Sequence, residues 1–535
     1  MKYNKVITAV IIILALGLSG CKKFLDEKHP SAVTTDFLYT TPEGLQAAVN
    51  GLYSMERDLV DNATNESSDF AVIQGDGGTD IDFLRAGSNP SIARYRTDVD
   101  LTSQGVVKTW WRMWYKIIER TNSIITFGEQ ADISDSTKIK ILREARIYRA
   151  YAYFWLVRKF DNVWLNLEPT TYDNIENRVF NKADQEDVYK TIISDLETAI
   201  SSYGNDWTAR TGQLGLGAAL YLRIDVALWR QDYQTAATLS ERLINEGPYA
   251  LVDPTQVFTQ DGRNNTREGI YVMQFDEFAV GGGYFHRMPL VFTADYKQVP
   301  GMSMVTEFGG YGWARIFPNE YLISLYDSVN DKRWDAWWQH YYTYNDNAFN
   351  FSTVSYALGD TLKYGQNSML TGTNYFRDAS ISCKKYWDYN KLPNTLRSYN
   401  NIYMFRFSEV YLMAAEANMR LGNTAAALNY INILRQNRIK PGPNQLLSSF
   451  DQETLLEEQA REMAFEGKRW FFLKRIGLLV ERVREHAGTT MFRGVLATDP
   501  AWYSGRTNIQ DYHVRWPIPQ SEIDAMGTFP QNPGY

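Results

Sequence analysis

Trp334, Trp337, Trp338, Tyr341, Tyr342 and Tyr344 crowd into eleven positions of a 535-residue chain that carries 35 Tyr and 15 Trp. Such side chains join a broad apolar face to a polar edge and suit half-wet surfaces. The chemistry they offer is grip. An indole face covers the flat C–H patch of a sugar ring while Asp, Asn or Arg bonds the hydroxyls at its rim. Spacing separates the candidates: Trp334 and Trp338 stand at helical separation and are expected in a core. Trp313, inside Gly309-Gly310-Tyr311-Gly312-Trp313, is expected at a surface.

Bond-breaking chemistry has less support. The five histidines (His29, His286, His340, His486 and His513) include no two at metal-ligand spacing, and a structural zinc site lacks its cysteines. No Gly-x-Ser-x-Gly elbow is present. The 62 acidic residues offer many carboxylate pairs for glycosidic cleavage, but nothing singles one out. Asp76-Gly77-Gly78-Thr79-Asp80-Ile81-Asp82 looks calcium-like, yet lacks the spacing and closing Glu of a calcium loop, so a polar turn is expected. The expectation is a binding protein with no catalytic residues, no metal and no cofactor.

Cys21 carries a different chemistry. Lys2 and Lys5 open an apolar run over 6–18, too short for a membrane-spanning helix of ~20 residues but suited to a secretory signal. The run ends in Leu18-Ser19-Gly20-Cys21, which resembles the bacterial lipobox. Residues 1–20 are therefore expected to be a signal peptide, with lipid joined to Cys21 as a membrane anchor. Cys383, the other of two cysteines, then has no intramolecular disulfide partner. Without Lys2 and Lys5 the 55 basic residues fall to 53 against 62 acidic, a formal charge of −9. That balance argues against nucleic acid as a partner.

The elements that must position these groups read mostly as helix. Val188, Ile192, Leu196 and Ile200 recur every four residues on one face, and Ala145, Tyr148, Ala152, Trp155 and Leu156 stripe the segment 138–160. Further helices are expected over 43–57, 106–127, 211–230, 409–421, 425–438 and 452–479. Two turns share a pattern: Asp232 and Asn423 are each followed four residues on by a small Ala, Ala236 and Ala427. A small residue there lets two helices approach closely, as in tetratricopeptide pairs, which stack into scaffolds. The stretch 250–400 is rich in Gly, Asn, Asp, Tyr and Trp and reads as loops and short strands. The expected architecture is mainly α, a tetratricopeptide-like helical-pair scaffold with an irregular insertion. Residues 21–535 would form one unit: scaffold at about 37–250 and 400–480, irregular part at about 250–400, tail at 480–535.

Several segments, in order, resemble the RagB/SusD family of outer-membrane lipoproteins. They are Phe37-Leu38-Tyr39-Thr40-Thr41-Pro42-Glu43-Gly44-Leu45 with Asn50-Gly51-Leu52-Tyr53, then Glu144-Ala145-Arg146-Ile147-Tyr148-Arg149-Ala150, and the run from Arg406 through Glu409 to Ala417. Phe465-Glu466-Gly467-Lys468-Arg469-Trp470 and the closing Pro517-Ile518-Pro519 with Gln531-Asn532-Pro533-Gly534-Tyr535 complete the likeness. There are departures. Asp161-Asn162-Val163-Trp164 stands where the family usually has Gly-Asp-Val-Pro, and Gln459 and Phe472 stand for a usual Arg and Asp. Lys22 and Lys23 precede Asp26-Glu27, where the family's surface-export signal is acidic.

The resemblance implies an α/α superhelix of four helical pairs. It also implies an outer-membrane, lipid-anchored location facing the cell exterior, and a SusC-like TonB-dependent transporter as partner to which a bound glycan is delivered. It places ligand contacts in the loops after the first helix and in the irregular middle. Mapped here, those regions supply Asp76, Asp82 and Arg85 as hydroxyl partners and Tyr284, Phe285, Trp313, Trp337 and Tyr341 as stacking faces. Peptide capture within the same family, a lipid-anchored helical glycosidase and a purely structural subunit are the rival expectations.

Overall fold

Helix starts are written locally. Thr41, Ser134, Asp184, Asp232 and Asp451 each accept a backbone N–H from the first turn of the helix that follows, which satisfies one of the donors a helix start leaves open. The computed structural model describes residues 35–535 apart from 61–71, 73–75, 86–89, 209–211, 260–266, 279–282, 284, 364–373, 444 and 489–503. The signal segment, Cys21 and Tyr284 lie outside the described residues.

The main helices are α1 (Pro42–Arg57), α2 (Gly105–Gln130), α3 (Asp135–Phe160), α4 (Gln185–Tyr203), α5 (Leu216–Trp229), α6 (Tyr233–Glu246), α7 (Phe407–Arg420), α8 (Thr424–Arg438), α9 (Gln452–Met463), α10 (Arg469–Arg475) and α11 (Leu479–His486). From α2 to α8 each packs on the next, giving the mainly helical, tetratricopeptide-like scaffold expected from the periodicity. Helix α3 is buried almost all round from Ala145 onward and is the scaffold's centre. The two matching turns close identically: Asp232 N–H donates to Ala227 O and Asn423 N–H to Asn418 O, both at 2.8 Å. Gln231 and Gly422 take positive φ of 58° and 79°, and Ala236 and Ala427 are buried.

Residues 247–406 are spliced into this array, yet α6 packs directly on α7 across them. The neck of the insertion is an antiparallel ladder of β2 (Gly269–Met273) with β8 (Ile402–Arg406). Beyond it lie further short pairs: β1 (Asp82–Leu84) with β3 (Ile316–Pro318), β4 (Trp338–Gln339) with β7 (Ser382–Cys383), and β5 (Tyr341–Thr343) with β6 (Thr361–Lys363). Phe83, Tyr296, Phe317, Tyr342, Tyr344 and Leu362 form a small core of their own there. Trp337, Trp338 and Phe292 instead join the main core.

The expected helix over 452–479 is broken twice. Phe465 and Gly467 take φ of 65° and 77°, and Gly477 takes 78°. The first break swings Glu466 into a buried ionic cluster. There Glu462 accepts from Arg333 (3.0 Å), Arg406 (2.6 Å) and Arg438 (2.9 Å). Arg333 also reaches Asp331 and Glu458, both at 2.8 Å. Arg406 bonds Glu268 and Glu466, both at 2.8 Å, and Lys385 donates to Glu466 at 2.7 Å. All of these side chains are buried. Despite the desolvation of burial, the surrounding arginines hold the Glu458 and Glu462 carboxyls well below the usual range.

The family motifs have structural work to do. Glu56 accepts from the Tyr148 and Tyr271 hydroxyls, which ties α1 to α3 and β2. Arg149 forks onto Asp195 at 2.7 and 2.8 Å. In the tail, Gln531 bonds the Ile518 backbone twice and Asn532 donates to the carbonyls of Phe160 and Trp516. Asp161, at the usual Gly position, sits at φ 57°, where a side chain is strained. Its carboxylate meets Lys474 at 2.7 Å and Arg515 at 3.1 Å.

Two stability predictions follow from the charges. Glu462→Gln strips the common partner from three buried guanidinium groups, and breaking such a pair costs about 3–5 kcal/mol; the urea midpoint should fall accordingly, and an unchanged midpoint contradicts the cluster's role. Gln459 accepts from the Arg469 guanidinium at 2.7 Å, with the Phe472 ring 5.6 Å from that guanidinium. Gln459→Arg therefore sets like charges together and should lower the melting temperature.

Candidate functional site

The segments either side of the β2–β8 neck, Gln274–Phe278 and 388–401, continue outward and enclose an open cleft of about 780 Å³. Its lining mixes aromatic faces (Phe275, Phe278, Tyr399) with hydrogen-bonding groups (Asn390, Lys391, Arg397, Asn401). Phe278 is 86 % exposed. The walls are held stiffly. Asn401 Oδ1 accepts the Phe275 N–H at 2.8 Å and its amide donates to Gln274 at 3.1 Å. His286 and Ser398 exchange both backbone hydrogen bonds at 3.0 Å. Asp388 accepts from the Ser398 hydroxyl and the Asn390 N–H, one on each oxygen. The glycine-rich loop buttresses one side: Tyr311 N–H donates to Pro393 O at 2.8 Å. Gly309 lies where a Cβ would strike the Trp387 ring.

Three residues singled out by the sequence lie outside the lining, and one of them touches a lining residue. Arg85 donates to Trp313 O at 3.0 Å. The Trp313 ring is half-buried under the Arg287 guanidinium, 5.4 Å away. Phe285 lies 4.7 Å from the guanidinium of Arg397, a lining residue. Tyr341 is 44 % exposed but sits on the β5–β6 hairpin beside His340, outside the lining.

Three site candidates, Trp337, Asp76 and Asp82, are corrected by their burial. Trp337 is 0 % exposed; its indole N–H donates to Pro254 O at 3.0 Å. Its face is taken by Lys385, Arg406 and Arg438 at 4.4, 5.5 and 5.7 Å, so it serves the ionic cluster and offers no stacking surface. Trp334, expected in the core, is only half-buried, against His340. Asp76 and Asp82 are buried too. Asp76 accepts the Arg469 backbone N–H at 2.8 Å, and Asp82 accepts N–H groups of Gly78 and Thr79 in its own turn. Asp80, between them, grips the Arg469 guanidinium at 2.7 and 2.8 Å. The calcium-like sequence is a clamp on the α9–α10 break. The lining residues Phe278, Asn390, Lys391, Arg397 and Tyr399 were not singled out by pattern.

The lining also carries three carboxylates: Asp388, bonded to Ser398 and Asn390, Asp276, which accepts the Phe278 N–H at 2.9 Å, and the exposed Glu277. A cavity of about 50 Å³ inside the scaffold is lined by Glu409, Lys468 and Arg475. These pair internally, Lys468 with Glu409 and Arg475 with Glu416, and the space is too small for a sugar ring.

Burial raises the Asp76 carboxyl from its ordinary 3.8 to about 7, against the N–H bond and charge of Arg469. The folded chain thus holds a proton there that the unfolded chain releases, and stability falls as pH rises between those values. Asp76→Asn keeps the tolerance for φ 63° and removes the titration. Its melting temperature should fall less than that of the unaltered protein between pH 4 and pH 7, a difference of at most about 1.4 kcal/mol per pH unit; parallel curves would contradict this.

Comparison with known proteins agrees with this architecture. The model described as the SusD family matches residues 258–535, and one described as "starch-binding associating with outer membrane" matches 23–213. A SusD-like protein of Formosa agariphila is 25% identical, covering 98% of this chain and 97% of its own length. Among solved structures, a SusD homolog of Bacteroides thetaiotaomicron superposes with TM-score 0.73 at 20% identity over 95% of this chain and all of its own. Surface glycan-binding protein A from Bacteroides uniformis gives 0.67 at 21% identity, covering 92% and 99%. The chain belongs to the SusD family.

Proposed function

We propose that this protein captures an oligosaccharide in the cleft beyond the β2–β8 neck and passes it, uncleaved, to a TonB-dependent transporter in the outer membrane. The observation that carries the reading is the cleft itself: exposed and half-buried rings beside fixed amide and cationic groups, on the insertion of a SusD-family scaffold. Rings supply stacking on C–H faces, and Asn390, Asn401 and Arg397 supply partners for hydroxyls. Stacking adds ~1 kcal/mol per ring beyond area, so an open cleft holds its ligand at micromolar strength or weaker (of order −8 kcal/mol). That weakness suits a protein that must release its cargo.

Lipid on Cys21 would anchor the protein at the outer face of the membrane.

Affinity electrophoresis of the purified protein through gels loaded with different polysaccharides tests the reading. Retardation by at least one glycan is expected. Phe278→Ala should weaken it without moving the melting temperature, because its ring is in water. Recovery of shortened polysaccharide after incubation would favour the glycosidase, and retention of peptides alone would favour peptide capture.

A further inference from the structure

Lys391 lines the cleft, and its ammonium is buried with no hydrogen-bond partner among the described residues. The carboxylate that bears on it electrostatically is Asp388, whose hydrogen bonds go to Ser398 and Asn390. Across the cleft, Asp276 caps its own turn and Glu277 is exposed to water. Arg397 is exposed on the same side as Lys391, lying over Phe285. Burial pushes the Lys391 amine down to about 8, the mark of a cation short of compensation.

Buried polar groups in folded proteins are almost always paired, and an unpaired buried charge is expensive. Lys385, wholly buried, makes hydrogen bonds to Glu466 and to two carbonyls. Lys391 differs in lining the cleft, with its side chain only partly covered. A ligand can complete it with an acceptor, since an ammonium only donates, and an anionic acceptor also offsets the cost of burying the charge.

We propose that the ligand of this cleft is an acidic saccharide, one whose carboxylate or sulfate group pairs with the Lys391 ammonium while its ring packs near Phe278 and Tyr399. This rests on the glycan-capture reading above and specifies its substrate class. Uronic acids and sulfated sugars share the required chemistry. Arg397 stands beside the pair as a second cation, free to receive a further charge along the chain.

Isothermal titration of the purified protein against three oligosaccharides of equal length, one neutral, one of uronic acid and one sulfated, decides the matter. At least one acidic ligand should bind about tenfold or more tightly than the neutral one, the size expected of a hydrogen bond to a charged group. Which acidic ligand binds identifies the source of the anion. Lys391→Met should bring the acidic and neutral ligands to within about twofold of each other, and Lys391→Arg should restore the preference. The melting temperature of Lys391→Met should hold or rise, because an unpaired buried charge has gone. Equal affinity for neutral and acidic ligands, or a preference that survives Lys391→Met, overturns the acidic assignment and leaves glycan capture standing. Binding of none of the three overturns both.

Discussion

A buried ionic cluster organises this protein. Glu462, on the scaffold helix α9, takes three guanidinium groups, and each comes from a different place: Arg438 from the scaffold helix α8, Arg406 from the neck strand β8 and Arg333 from the insertion. Lys385 adds a fourth cation from the insertion through Glu466. Charges so far from water are tolerable only when every partner is present. The cluster therefore admits one arrangement of insertion on scaffold. Hydrophobic packing alone would tolerate small slides between the two, whereas bidentate charge pairs fix distance and angle.

That constraint explains features that otherwise look like irregularities. The break after α9 puts Phe465 at positive φ, held by the Tyr386 hydroxyl donating to Phe465 O at 2.5 Å and by Lys385 on the neighbouring carbonyls. The break brings Glu466 inward and leaves Arg469 pointing at Asp80, so the turn at 76–82 is locked to the same region. Trp337 roofs the cations. The cleft walls start where the β2–β8 ladder ends, so fixing Arg406 and Glu268 at the base of the ladder also fixes the aromatic and amide groups beyond it.

Much of the scaffold could be read from local patterns because its causes are local. The four-residue stripe on α4, the Asp and Ser caps, and the paired Asp232–Ala236 and Asn423–Ala427 turns each depend on residues within one helical turn. The helix over 452–479 misled because its interruption is imposed by distant partners, Lys385 and Arg406, that no window of sequence contains. Trp337 misled for a related reason: nothing near it in the sequence shows that three cations from distant segments gather on its face. The cleft was the least legible part. Phe278 and Tyr399 lie far apart along the chain and meet only through the neck ladder. Asp76 and Asp82, grouped with glycines, had the composition of an exposed loop but were drawn inside by Arg469 and by their own turn.

On the proposed function, the molecule divides labour between a helical scaffold and an insertion that carries the grip. Hydrogen-exchange mass spectrometry of the protein with and without a bound oligosaccharide tests that division most directly. Slowed exchange confined to 274–278 and 388–401, with α2 to α6 unchanged, is the result this account predicts. Protection centred on the scaffold helices, with the cleft segments unaffected, would contradict it.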